Sequence, residues 1–225
     1  QGVGDVDNDG FNDLIVAQPR FTATPPVAAT GPQEGRILLF RGSASGILNT
    51  SAWEAVGASE SSLGSATADD INVNGDAFRD IVVSASTDGS GSLLGGALFA
   101  FTGTGQVDGS GQLTLTQDWT FANPGCFALM GDALAKAGDG NCDGLDDLIA
   151  GGSGADQVLV FYGSSTSTLS ATPDVTFNAV SGDGSGLAVG SVGNPRNRQF
   201  NGIACDGIII GGPGFDSSAN AADVD

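Results

Sequence analysis

Residues 4–19 read GDVDNDGFNDLIVAQP, with Asp5, Asp7, Asp9 and Asp13 crowded together and Leu14-Ile15-Val16 following at once. Carboxylates this close repel, each pair by about 4 kcal/mol at 4 Å with an effective dielectric near 20. They must either splay outward into water or share a cation. The order D-x-D-x-D-G-x-x-D points to the cation: positions 1, 3, 5 and 9 offer side-chain oxygens to one centre. The Phe11 carbonyl at position 7 adds another oxygen, and Gly10 permits the bend. Such an all-oxygen cage suits a hard cation such as calcium. An EF-hand would need a bidentate acid at position 12 and a helix leaving the loop. Position 12 is Val16, and residues 14–17 form a short apolar run closed by Pro19, which predicts a buried strand. The cage is therefore expected as a turn between two strands.

The same phrase recurs. In GDGNCDGLDDLIAGG, residues 138–152, Asp139, Asn141, Asp143, the Leu145 carbonyl and Asp147 fall on positions 1, 3, 5, 7 and 9. In NVNGDAFRDIVVSA, residues 72–85, Asn72, Asn74, Asp76, the Phe78 carbonyl and Asp80 do the same, with Ala77 where the bend glycine stands elsewhere. A register starting at Asp70 would use Gly75 but displaces Asp80, so the first register is preferred. A glycine stands eight residues before each inner cage, at Gly64, Gly131 and Gly186. Counting eight from Gly186 gives Asn194, with Arg196 and Arg198 at positions 3 and 5 and the aspartate delayed to Asp206. This fourth copy is expected to hold no metal; its arginines would pair with acids of neighbouring turns. Downstream come GRILLFRGSASG, GGALFAFTGTG and ADQVLVFYGSS, then SAWEAVG, QDWTFANPG and PDVTFNAVSG.

Each period thus holds four short strands, A to D, with the cage between A and B. Tandem four-stranded antiparallel units predict an all-β protein built of β-propeller blades, because one small sheet must cover its faces with its neighbours. A parallel β-helix fits less well, its rungs being shorter. The expected units are residues 1–62 (strands B-C-D), 63–129, 130–184 and 185–225 (strands A-B), a partial propeller of about three to three and a half repeats.

The net charge of −19, from 26 acids and 7 bases, opposes nucleic acid and anionic membranes. No run is long and apolar enough to span a bilayer. The sequence has no histidine, which removes the Ser-His-Asp triad and histidine-ligated metals. The cages claim nine of the 26 acids, and no enzymatic activity is expected. Trp53 and Trp119 hold equivalent positions and are expected to pack blades. Lys136, the only lysine, is expected as a solvated charge. The glycine-rich stretch of residues 88–96 lacks the Gly-Lys-Ser/Thr of a phosphate loop.

The order Gly-x-Ala, D-x-D-x-D-G-x-x-D, L-I-V-x-x-P and V-x-V-F-x-G resembles the FG-GAP repeats of integrin alpha-chain propellers and related bacterial surface proteins. The F-G pair reads Leu63-Gly64, Met130-Gly131 and Ser185-Gly186, and G-A-P survives as Ala17-Gln18-Pro19 and Gly211-Gly212-Pro213. The resemblance implies three calcium ions in hairpins on the lower face and partner contacts on the opposite face. The full family propeller has seven repeats, so this sequence would be a segment of one or an open array. It also implies an extracellular, secreted or cell-surface setting and an adhesion-type module for a protein or glycan ligand, with no nucleic acid and no membrane insertion. The alternative is a structural subunit whose copies complete each other's blades. On those faces Cys142 and Cys205 share the lower side and Cys126 lies opposite. A Cys142–Cys205 bridge with Cys126 unpaired is then the favoured pairing, against three free thiols. Ligand charge would rank the cages first, third, second, and Ala77, if held left-handed, would weaken the second further. The variable loops of residues 20–34, 86–95 and 152–156, together with the D-to-A loops, are the expected recognition surface.

Overall fold

The structure is a computed structural model and describes residues 1–23, 33–166, 168–178, 186, 188–195, 197, 199–200 and 202–212. Every element among them is a strand. The first sheet orders β1 (Gly2–Gly4), β2 (Asp13–Gln18), β3 (Arg36–Phe40) and β4 (Trp53–Val56) as consecutive antiparallel neighbours. The second does the same with β5 (Leu63–Thr67), β6 (Ile81–Ala85), β7 (Ala97–Thr102) and β8 (Thr116–Ala122). The third uses β9 (Met130–Gly138), β10 (Asp147–Gly152) and β11 (Gln157–Phe161). A small hairpin of β12 (Gly163–Ser164) and β13 (Thr168–Leu169) precedes its last strand, β14 (Val175–Asn178). In the fourth repeat β15 (Ala188–Gly193) pairs with β18 (Gly207–Gly211), and the longer turn between them carries the hairpin of β16 (Gln199–Phe200) and β17 (Ile203–Ala204).

One strand differs from expectation. The first unit is not B-C-D: Gly2 pairs with Leu14 and Gly4 with Asp13, so a three-residue A strand completes the sheet. It is too short to show an alternating pattern, and its glycines suggest no strand.

The sheets stand side by side as successive propeller blades do. Alternation along β6 shows how. Ile81, Val83 and Ala85 join Ile15, Ile37 and Leu39 of the first sheet in one core. Val82 points the other way and joins Leu148, Ala150 and Phe161 of the third sheet in a second core. A strand of period two covered on both faces is apolar throughout, and all of β6 and β10 is buried. A third core links Ile149 and Val160 to Val189, Ile208 and Ile210.

The repeated glycine of Gly-x-Ala has a packing reason. Gly64, Gly131 and Gly186 all adopt φ near +93° at the start of an A strand. A Cβ on Gly64 would come within 3.0 Å of the Ala17 Cβ, so the backbone lies directly on the preceding sheet. The tryptophans pack between sheets as expected. Trp119 meets Phe161 edge-on at 5.2 Å and donates its indole N–H to the Ser170 carbonyl at 3.0 Å, and Trp53 meets Phe101 at 4.9 Å.

Antiparallel order puts all A-to-B turns at one end of the sheets and the B-to-C and D-to-A loops at the other. At that other end the two loop sets are laced together: Phe127 donates to Leu93 O, Leu129 to Leu94 O and Gly154 to Ala128 O. Part of the residue 20–34 loop, Arg196, Arg198, Ser185 and Pro213 lie outside the described residues.

Candidate metal centre

The ninth position of each turn is its anchor. Asp13, Asp80 and Asp147 are buried at 2%, 0% and 0% exposure. Asp13 accepts the Val6 N–H at 2.9 Å and the Gly42 N–H at 2.8 Å. Asp147 accepts Gly140 at 2.8 Å and Gly163 at 3.0 Å. Asp80 accepts Val73 at 2.9 Å, while the Gly103 N–H acts on it from outside hydrogen-bonding geometry. In the first and third turns one carboxylate therefore ties the second residue of the turn to the glycine that ends the F-x-G phrase of strand C. That glycine cannot carry a side chain: a Cβ on Gly163 would stand 2.6 Å from the Asp146 carbonyl oxygen. Burial raises the pKa of all three aspartates against the pull of these N–H groups, to about 7 for Asp80 and Asp147.

The first and third turns share the rest of their geometry. Asp5 takes the N–H groups of Asp9 at 3.0 Å and Gly10 at 2.8 Å; Asp139 takes those of Asp143 at 2.9 Å and Gly144 at 2.8 Å. The fifth-position acids accept the N–H two residues on, at Phe11, Phe78 and Leu145. The second turn departs. Asn72 accepts Gly75 N–H at 2.8 Å and donates to the Asp76 carbonyl, and Asn74 donates to Asp76. Ala77 is not left-handed there. The fourth position takes the positive φ in all three turns, as Asn8, Gly75 and Cys142, and the sixth is left-handed only at Gly10 and Gly144. The expected strain at Ala77 is thus absent, because the turn bends at Gly75.

Which acids converge differs between turns. Asp5, Asp7 and Asp13 bring ligand oxygens within 4.8 Å of one another, the only such group of three acids among the described residues. Asp7 Oδ1 is buried with no hydrogen-bond partner. Burial raises the Asp7 pKa, opposed by Arg41 and reinforced by Asp9 and Asp5. Three oxygen donors and an orphaned buried carboxylate oxygen fit a hard divalent cation. Asp9 stands outside this group and pairs with Arg41 at 3.0 Å. In the second and third turns an asparagine holds the fifth-position acid from within, Asn74 donating to Asp76 and Asn141 to Asp143 at 2.9 Å each, and the second turn leaves Asp80 Oδ1 buried without a partner.

Adjacent turns are also bonded to each other, which sequence spacing does not show. Asp146 donates its N–H to Asn72 O at 3.2 Å and accepts the Asn72 N–H at 2.9 Å. Asp206 makes the same exchange with Asp139 at 2.8 and 3.2 Å. Between the first two turns Arg79 N–H reaches Asp5 O at 3.1 Å, and its guanidinium turns to Asp70 at 2.9 Å. Asp206 is therefore the counterpart of Asp146, not of the anchoring aspartate. The strand register agrees, since Gly207 faces Gly193 as Asp147 faces Gly138. The fourth turn has a glycine at its ninth position, and the insertion of β16–β17 hid this in the sequence. Lys136 is not simply solvated either: it donates to the Asp70 carbonyl at 2.8 Å and lies 3.7 Å from Asp146, between the second and third turns.

Cys142 and Cys205 form a disulfide with Cα atoms 4.9 Å apart, joining the third turn to the fourth. Cys126 is a free, exposed thiol at the opposite end, 2.8 Å from Ser92 Oγ.

Residues 2–40 match the family model of the FG-GAP repeat. The matched segment runs from β1 through the first turn to the end of β3, so the first repeat is an FG-GAP repeat. Among curated proteins no sequence matches the chain. No helix among the described residues is long and apolar enough to cross a membrane.

Proposed function

We propose that this protein is an extracellular, calcium-stabilised binding module of the FG-GAP propeller type, with no catalytic role. The observation that carries this reading is the convergence of Asp5, Asp7 and Asp13, with Asp7 Oδ1 buried and unpartnered, inside the repeat at residues 2–40. Those three aspartates, with the Phe11 carbonyl, would hold the ion in the first turn. Asp139, Asn141, Asp143, Leu145 and Asp147 would hold one in the third, and Asn72, Asn74, Asp76, Phe78 and Asp80 a weaker one in the second. A bound calcium ion would cancel the mutual repulsion of these carboxylates. The disulfide between turns suits an oxidising compartment.

The partner surface would be the laced loop end opposite the turns. Leu93 and Phe127 are 62% and 56% exposed there, apolar side chains on a braced scaffold. A protein or glycan ligand would dock on that end, leaving the turns free for their ions. Melting the protein in calcium, in magnesium and in chelator tests the stabilising role. A rise in melting temperature with calcium that magnesium does not reproduce supports it, and identical melts count against it. Light scattering of the calcium-bound protein separates a monomeric binding module from a self-assembling subunit.

A further inference from the structure

We propose that Arg41 is the resident counter-cation of the first turn, holding it closed without a divalent ion and lowering its calcium affinity. This rests on reading the turns as calcium sites and changes the ranking that ligand charge alone would give them. The guanidinium pairs through Nε with Asp7 and through Nη2 with Asp9 Oδ2 at 3.0 Å. The Asp7 side chain is 3% exposed and that of Arg41 31%, so the pair is largely withdrawn from water, where screening is weak. Arg41 is the middle residue of Phe40-Arg41-Gly42, and its counterparts are Thr102 and Tyr162, neither of which carries a positive charge. Thr102 donates to Asp118 instead, at 3.1 Å, and Tyr162 donates its backbone N–H to Asp174 at 2.8 Å. Among the described residues, only the first turn receives a cation from strand C.

At its ligand positions the first turn carries Asp5, Asp7, Asp9 and Asp13 against Arg41, a net −3; the third carries Asp139, Asp143 and Asp147, also −3, and its remaining acid, Asp146, faces Lys136 at 3.7 Å. The charge advantage of the first turn is cancelled. Asp5 and Asp13 hold backbone N–H groups, so Asp7 is the acid an ion would share with the guanidinium, through its free Oδ1 while Oδ2 pairs with Arg41. Even at the dielectric of water, a single and a double positive charge about 5 Å apart repel enough to weaken binding about tenfold.

Calcium calorimetry on the wild type, Arg41→Gln and Arg41→Lys tests this, the first-turn event being the one lost in Asp7→Ala. The expected result is about tenfold tighter first-turn binding in Arg41→Gln and near wild-type binding in Arg41→Lys, which keeps the charge. In chelator, Arg41→Gln should melt below the wild type, with the difference shrinking or reversing in calcium. First-turn affinity equal in Arg41→Gln and wild type overturns the inference alone. No calcium binding by either protein overturns the calcium reading, and this inference with it.

Discussion

Replacing Asp147 by alanine separates an anchoring aspartate from a mere metal ligand. Its carboxylate accepts from Gly140 at 2.8 Å and from Gly163 at 3.0 Å, in a site with no solvent exposure. Truncation leaves two buried N–H donors without partners, at about 1–3 kcal/mol each, or about 2–6 kcal/mol together. Removing the carboxylate also relieves the cost of burying it, the same cost that raises its pKa to about 7, so the lower half of that range applies. The loss should appear in full in chelator, since neither bond involves an ion. Urea unfolding at fixed pH, with and without calcium, reads it as a shift in midpoint at constant slope. A loss below about 1 kcal/mol in chelator, with a larger one only in calcium, would show that the aspartate acts through the ion and that the two bonds contribute little.

Three further expectations follow from the same turns. Ala77→Gly should destabilise by about 0.5–1 kcal/mol, because the bend lies at Gly75 and the added freedom is lost on folding; a gain on thermal melting would restore the left-handed assignment of Ala77. Cys142→Ser should cost about 4 kcal/mol on chain entropy for a loop of 63 residues. Non-reducing peptide maps should show Cys126 alone alkylated, and any Cys126 bridge contradicts the face assignment. The metal-free protein should lose stability as pH rises from about 4 to about 7, because Asp80 and Asp147 keep protons in the folded state that the unfolded chain releases near 3.8. Below that window their contribution is flat and above it the penalty is complete. A chelator-phase unfolding midpoint equal or higher at pH 7.5 than at pH 5 would contradict the assignment.

The repeat, the turn positions and the strand that follows each turn are legible in sequence because they are local: a carboxylate every second residue, a glycine bend, a β-branched run. The Cys142–Cys205 pair is legible for a related reason, since the repeat phase puts both residues on the same face of neighbouring units. What sequence spacing hides is contact between units. Arg41 lies 32 residues from Asp9, and Lys136 lies 66 from Asp70. Neither has a periodic signal, because each occurs in one repeat only. In the reciprocal exchanges of Asp146 with Asn72 and of Asp206 with Asp139 both donors and one acceptor are backbone groups, which carry no mark in sequence, and the carboxylate that accepts the other bond looks like any turn acid. Asp206 misleads in particular: with an insertion before it, the nearest acid looks like the missing ninth-position aspartate until the pairing of Gly207 with Gly193 fixes the register. The anchoring role of the ninth position was hidden for the opposite reason. An aspartate that ties a turn to a glycine and one that ligates an ion look alike in the pattern, and burial with two N–H partners tells them apart.

Calcium titration of the wild type beside Asp7→Ala bears most directly on the first turn as an ion site. Asp7 leaves its Oδ1 unpartnered, so truncation to alanine removes an ion ligand and the Arg41 pair while sparing the bonds that Asp5 and Asp13 make to the turn. The expected result is one binding event lost in Asp7→Ala, with the remaining events close to wild type and a lower chelator-phase melting temperature from loss of the Arg41 pair. Identical calcium isotherms for the two proteins, or no calcium binding by the wild type at millimolar concentration, would contradict it.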